Sequence, residues 1–267
     1  MTDKEKDKDN AKDKDNEKDK DLTGATALVT GASRGFGRGI AAALSGAGAR
    51  VVGVARDRAA LDELAAQLGG SFTAVAADAA DPIVAGRLID AYRPAILVLN
   101  AGATPLPRPV QHHTWRTFSS NWDTDVQHAF HWTREALLAP LAPGSTVITL
   151  SSGAALRGSP LSGGYAGAKA AIRVLTAYAA AESAREKLGI RFVSLLPQLT
   201  PATSLGAMYV EAYAAREGVD VAAYTGAQGP SLTPEQVGKS VTDLVANDTG
   251  ASDAYLLTAA GLRPLTA

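Results

Sequence analysis

Tyr165-Ala166-Gly167-Ala168-Lys169 sets a phenol and an ammonium four residues apart. On a helix, residues i and i+4 share a face, so both groups can converge on one point. A phenol has a pKa of about 10 and is a weak base at neutral pH, but a neighbouring ammonium stabilises its phenolate. The pair therefore suits general acid/base work on a substrate oxygen. Taken alone, the same spacing usually marks an exposed helix pair. Its company gives it meaning: Ser151-Ser152 ends an apolar run at 146–150, where a hydroxyl can hold the substrate oxygen.

A second constellation lies upstream. An apolar run ends at Thr30 and leads into Gly31-Ala32-Ser33-Arg34-Gly35-Phe36-Gly37. Backbone approaches a pyrophosphate closely only where side chains are missing, the use assigned to Gly31, Gly35 and Gly37. A helix starting there offers unpaired N–H groups and the positive end of its dipole. With 26 glycines in the chain the spacing alone is weak. Its place between a first strand and a helix, with a second strand following, points to a dinucleotide.

The second apolar run ends Val54-Ala55-Arg56-Asp57. NAD needs a carboxylate at this tip for its ribose hydroxyls, whereas a 2′-phosphate needs a cation. The tip position is Ala55, followed by Arg56, and Arg34 offers a second cation. These residues favour NADP(H) over NAD. The competing reading makes Arg56 a solvated loop residue and gives the ribose to Asp57, one position late.

These groups need a scaffold. Strand-like apolar runs fall at 25–30, 50–55, 72–76, 95–99, 145–150, 191–196 and 254–257. Helical spacing falls between them at 37–46, 58–68, 82–92, 115–138, 164–188 and 234–246. This alternation predicts an α/β fold: a single-domain, Rossmann-type, doubly wound parallel sheet of about seven strands with helices on both faces. Residues 1–21 hold seven Lys against nine Asp and Glu and almost nothing apolar, so they are expected to be a disordered charged tail. Residues 22–267 form the expected domain.

Composition narrows the function. The net charge of −1 and the near balance of the folded part argue against nucleic acid and membrane partners. No run is long and apolar enough for a membrane span. Cysteine is absent, which removes thiolate chemistry and Cys-based metal sites, and a cytoplasmic location is expected. His112 and His113 in a loop, with His128 and His131 on the long helix, read as solvated or interface histidines, and no metal is expected. Trp115, Trp122 and Trp132 read as core or subunit-interface residues.

With these pieces in this order, the sequence resembles the short-chain dehydrogenase/reductase family, NADP-preferring type, over nearly all of residues 25–257. The matching pieces are the turn at Thr30 to Gly37, Asp78 after the third strand, Asn100-Ala101-Gly102 after the fourth, Ser152, Tyr165 and Lys169. The resemblance implies that Tyr165 is the general acid/base, Ser152 holds the substrate oxygen, and Lys169 supports Tyr165 and binds the nicotinamide ribose. It also implies that Ser33, Arg34 and Phe36 in the turn, Asp78 and Ala79, Asn100 to Gly102, and Pro197 line the cofactor site. The substrate would be a small carbonyl or alcohol under a lid at about 199–232, where Met208, Tyr209 and Tyr213 suggest a mostly apolar pocket. A homodimer or homotetramer is implied.

Three positions depart from the family. The usual relay Asn in the long helix is Asp125, with Asn121 one turn earlier as a substitute. Pro197 is followed by Gln198 rather than Gly, leaving Thr200 and Thr203 as rival candidates for the family's Thr. Thr258-Ala259-Ala260-Gly261 replaces a C-terminal Asp-Gly-Gly. Asp125 and Gln198 motivate a second reading, a nucleotide-binding sensor that has kept the fold and lost turnover. A longer epimerase or dehydratase relative is a third, disfavoured by the glycine spacing.

Overall fold

The computed structural model describes residues 21–247 and 252–265. The charged tail lies outside them except for Asp21, whose carboxylate accepts from the Thr23 N–H at 2.8 Å. Eight strands form one sheet: β1 (Thr26–Thr30), β2 (Arg50–Ala55), β3 (Phe72–Ala76), β4 (Ile96–Leu99), β5 (Thr146–Leu150), β6 (Arg191–Pro197), β7 (Ala254–Thr258) and β8 (Gly261–Pro264). Their order is β3-β2-β1-β4-β5-β6-β7-β8. The first seven are parallel, and β8 pairs antiparallel with β7 at the edge. The expected parallel sheet thus gains one short edge strand.

Parallel strands covered on both faces read as continuous apolar runs. In β1, Ala27 and Val29 pack into one core while Leu28 packs into the other, as the strand's period of two requires. The first core takes Ile40 and Leu44 from α1 (Gly35–Gly46), Leu61 and Leu64 from α2 (Arg58–Leu68), and Val237 and Val241 from α10 (Pro234–Ala246). The second takes Leu88 and Ile89 from α3 (Pro82–Tyr92), together with Trp132 and Ala136.

The stretch expected as one helix at 115–138 has three parts: α4 (Trp115–Asn121), a π-helical segment at Trp122–Val126, and α5 (Gln127–Leu138). The wider π turn changes the helical phase, a device often found at functional sites. Asp125 within it, and His128 and Trp132 beyond it, are buried. Further on lie α6 (Ala154–Arg157), α7 (Gly164–Arg185), α8 (Ser204–Glu217) and α9 (Val221–Gln228). Chain direction across the sheet reverses between β1 and β4, so a crevice opens at their carboxyl ends. Among the described residues, no helix is long and apolar enough to cross a membrane.

Candidate active site

The glycine turn occupies that crevice. Gly31 has φ +66° and its N–H donates to the Val54 carbonyl at 2.7 Å. A Cβ at Gly37 would stand 2.1 Å from the Gly31 carbonyl oxygen, so only glycine lets the helix close against the turn. Arg34 is the N-cap of α1, and no side chain caps that helix. Its first-turn N–H groups and positive dipole end are thus free of side-chain oxygens, as an anion site requires. Ser33 lies half-buried in the turn, and Phe36 packs against the first core.

Asn100 shapes the turn. Its side-chain amide donates to the Thr30 and Gly31 carbonyls at 3.1 and 3.2 Å. The backbone N–H groups of Asn100 and Ala101 donate to Thr30 Oγ1 at 2.9 and 3.2 Å. The end of β4 is therefore stapled to the glycine turn. Arg34 and Arg56 are both exposed. Asp57 instead caps α2, accepting from the Ala60 N–H at 3.1 Å; its carboxylate already has a structural task. Asp78 accepts from the Ala80 N–H at 3.0 Å, while the Ala79 carbonyl accepts from the Trp132 indole at 2.8 Å.

The proton-handling groups meet between β5, the π segment and α7. Lys169 is buried, donates to the Leu150 carbonyl at 3.1 Å, and lies 3.2 Å from the Asp125 carboxylate. Its Nζ is 5.7 Å from the Tyr165 ring centroid. Burial disfavours the ammonium, but Asp125 first and Tyr165 second outweigh burial and hold the Lys169 pKa above its ordinary value. The two neighbouring serines divide their work. Ser151 is buried and donates its proton to the Lys169 carbonyl at 2.7 Å, fixing β5 to α7. Ser152 Oγ accepts from the Ala154 N–H at 3.2 Å, which leaves its own proton for a substrate oxygen.

The rival relay candidates prove to be one unit. Asp125 accepts from the Ala103 N–H at 2.7 Å, and Asn121 donates to the Ala103 carbonyl at 3.0 Å and to Asp125 at 3.4 Å. Gly102 is tied to the same unit, since a Cβ there would meet Asp125 Oδ2 at 2.8 Å. The arrangement amounts to a glycine turn at an uncapped helix N-terminus together with a phenol–ammonium pair. The sequence matches the short chain dehydrogenase family over residues 25–213. The chain belongs to that family.

Relatives agree. The chain is 32% identical over 183 residues to L-xylulose reductase of Bos taurus, covering 67% of this chain and 74% of that protein. It is 29% identical over 182 residues to carbonyl reductase [NADPH] 2 of Sus scrofa, covering 67% and 74%. Among solved structures it resembles 3-ketoacyl-(acyl-carrier-protein) reductase from Brucella melitensis complexed with NADH. There the TM-score is 0.73 and the identity 25%, covering 88% of this chain and 97% of that one. As a short-chain dehydrogenase this protein is an oxidoreductase that interconverts carbonyl and alcohol groups with a nicotinamide cofactor.

The two threonine candidates differ in their hydrogen bonds. Thr200 is buried and donates to the Leu232 carbonyl at 2.6 Å, so its hydroxyl proton is committed. Thr203 caps α8 and lies beside the glycine turn: a Cβ at Gly35 would meet Thr203 Cγ2 at 3.6 Å. Pro197 is buried, its carbonyl accepting from the Gly153 N–H at 2.9 Å, and Gln198 donates to the Pro230 carbonyl at 3.3 Å.

One expectation needs correction. His128 is not solvated or interfacial; it is 1% exposed behind Lys169. Burial, then the Lys169 charge, lower its pKa to about 3, so it is neutral at physiological pH. Its position three residues after Asp125, on the same helical face, is the signal that locates it. Of the three tryptophans, Trp132 is fully buried in the core, whereas Trp115 is exposed.

Proposed function

We propose that this short-chain dehydrogenase is an NADP(H)-preferring reductase of small ketones or aldehydes, with Tyr165 as the proton donor. One observation carries the reading: buried Lys169, paired with Asp125, sets its Nζ 5.7 Å from the Tyr165 ring centroid, and Ser152 just past β5 keeps an uncommitted hydroxyl proton. The cofactor, when bound, supplies the hydride. Ser152 orients the carbonyl oxygen by donating to it. Tyr165 gives that oxygen its proton, and Lys169 stabilises the charge left on the phenol. Asp125 keeps Lys169 charged and fixed, while Asn121 and the Ala103 N–H hold Asp125.

The glycine turn fits a pyrophosphate, since a Cβ at Gly37 would fill its cradle and the α1 N-terminus has no side-chain cap. Gly31, Ser33, Gly35 and Gly37 would hold that group. Arg34 and Arg56 are exposed near the tips of β1 and β2 and would bind a 2′-phosphate, while Asp57 is committed to its helix cap. Asp78 and Ala79 would face the adenine, and Asn100, Ala101, Gly102 and Pro197 the remaining cleft. Residues 199–232, with α8 and α9, would cover the substrate. Exposed Trp115, Phe130 and Tyr178 on α4, α5 and α7 support a homo-oligomer.

The test is turnover of a ketone and aldehyde panel with NADPH and with NADH, for wild type and Tyr165→Phe. NADPH-dependent turnover that the variant loses supports the reading. Cofactor binding with no turnover on any substrate would favour a sensor instead.

A further inference from the structure

A row of four tyrosines begins at the proton donor. Tyr165 lies 6.1 Å from Tyr209, Tyr209 lies 5.9 Å from Tyr213, and Tyr213 lies 6.0 Å from Tyr224, measured between ring centroids. The last pair is stacked at 16° and joins α8 to α9, where Val210 and Ala214 complete a small apolar cluster. The hydroxyls along this row are used differently. The Tyr213 hydroxyl bonds Ser159 Oγ, which in turn bonds Ser162 Oγ at 2.9 Å. That chain anchors α8 to the loop preceding α7.

Tyr209 is the exception. It is 4% exposed, its hydroxyl is buried, and that hydroxyl has no hydrogen-bond partner among the described residues. A buried hydroxyl without a partner is costly, and protein interiors rarely keep one. The ring that carries this hydroxyl lies on α8 with its centroid 6.1 Å from that of Tyr165, the proposed proton donor. Burial, then the Tyr165 charge, keep the Tyr209 phenol protonated well above the usual range, so it remains a donor.

We propose that the Tyr209 hydroxyl is a specificity group that hydrogen-bonds a second substrate oxygen, on the carbon next to the reacting carbonyl, and so selects α-hydroxy ketones over plain ketones. This rests on the proposed reductase reading of the same site. The reacting oxygen lies at Ser152 and Tyr165. A hydroxyl on the adjacent carbon extends toward the neighbouring ring and satisfies Tyr209, whereas a methylene there leaves its hydroxyl unpaired. Sites built to bond a substrate hydroxyl discriminate strongly against analogues lacking it, because the protein group is then stranded. The ring faces still provide the apolar wall expected of this segment; Tyr209 adds one polar point to it.

The test uses acetoin against butanone, which share a carbon skeleton, with NADPH. Wild type should show a kcat/KM for acetoin at least about tenfold above that for butanone. In Tyr209→Phe the acetoin-to-butanone ratio should fall by about tenfold, equivalent to about 1.4 kcal/mol. Tyr213→Phe, which loosens α8 without touching that hydroxyl, should keep the ratio within about twofold. A purely structural role for Tyr209 would slow both ketones together and leave the ratio alone. Wild-type indifference between the two ketones overturns the proposal, as does an unchanged ratio in Tyr209→Phe or equal losses in both variants. Those results leave the reductase reading standing. Failure of wild type to reduce any ketone or aldehyde removes both.

Discussion

Replacing Asp125 by Leu removes the charge beside Lys169 while keeping a side chain of similar size. Asp125 is 1% exposed and Lys169 7% exposed at their side chains, so water cannot take over the lost interaction. Lys169 would keep the Leu150 carbonyl and the Tyr165 ring but no carboxylate, and the Ala103 N–H would lose its 2.7 Å acceptor. Breaking a buried pair from one side costs about 3–5 kcal/mol. Asp125→Asn should recover part of this, because its amide oxygen can still accept from Ala103; a neutral hydrogen bond of that kind contributes about 0.5–1.5 kcal/mol.

The pH dependence has a definite sign. In wild type the Lys169 pKa is raised above 10.5, so its contribution is complete below that value and is lost only as pH rises through the folded pKa. In Asp125→Leu burial dominates and the folded pKa drops below that of the unfolded chain. The unfolded state then binds more protons, and stability climbs as pH rises toward about 10.4, the unfolded lysine value. Denaturant unfolding at several pH values reads both effects. A loss below about 1 kcal/mol, or a variant whose stability does not change with pH over this range, would refute the ion-pair argument.

Other consequences follow from the same geometry. Tyr165→Phe should lower turnover by about 10²–10⁴-fold while cofactor fluorescence titration still shows binding. Arg56→Ala should cut the NADPH-over-NADH preference in kcat/KM by roughly tenfold or more, the scale of one charge-assisted hydrogen bond; an unchanged preference would remove Arg56 as the phosphate reader. Gly37→Ala should abolish measurable cofactor binding, because its Cβ cannot sit 2.1 Å from the Gly31 oxygen. His128 is held neutral down to about pH 3, whereas the unfolded imidazole takes a proton near 6.5. It therefore contributes stability that is lost as pH falls through that window. In His128→Gln the acid-side slope should be shallower by up to about 1.4 kcal/mol per pH unit, read by unfolding between about pH 6 and 4.

How legible each part was depends on what enforces it. Strands β1 to β7 lie within a residue of their apolar runs; β1, β2, β4, β5 and β6 are buried almost throughout, which leaves a continuous apolar signal. Strand β8, Gly261–Pro264, was missed: it is short, largely exposed at the sheet edge, and made of residues such as Gly, Arg and Pro. Helices α8 and α9 were seen only as a segment, since their alanines carry little facial contrast. The π turn at Trp122–Val126 has no sequence signature of its own. It nonetheless decides that Asp125 faces Lys169, which counting from the family pattern proposed but could not orient. Likewise Ser151 and Ser152 are identical as letters, and Thr200 and Thr203 nearly equivalent by spacing. Only their hydrogen bonds separate them: Ser151 and Thr200 donate to backbone carbonyls, whereas Ser152 and Thr203 accept from backbone N–H groups.

The central claim is proton transfer by Tyr165 with a nicotinamide cofactor. Its most direct measurement is the steady-state loss of reduced-cofactor absorbance with acetoin, for wild type and Tyr165→Phe side by side. The account predicts NADPH oxidation by wild type and a loss of at least about 10²-fold in the variant at undiminished cofactor affinity. Turnover that survives in Tyr165→Phe would contradict it.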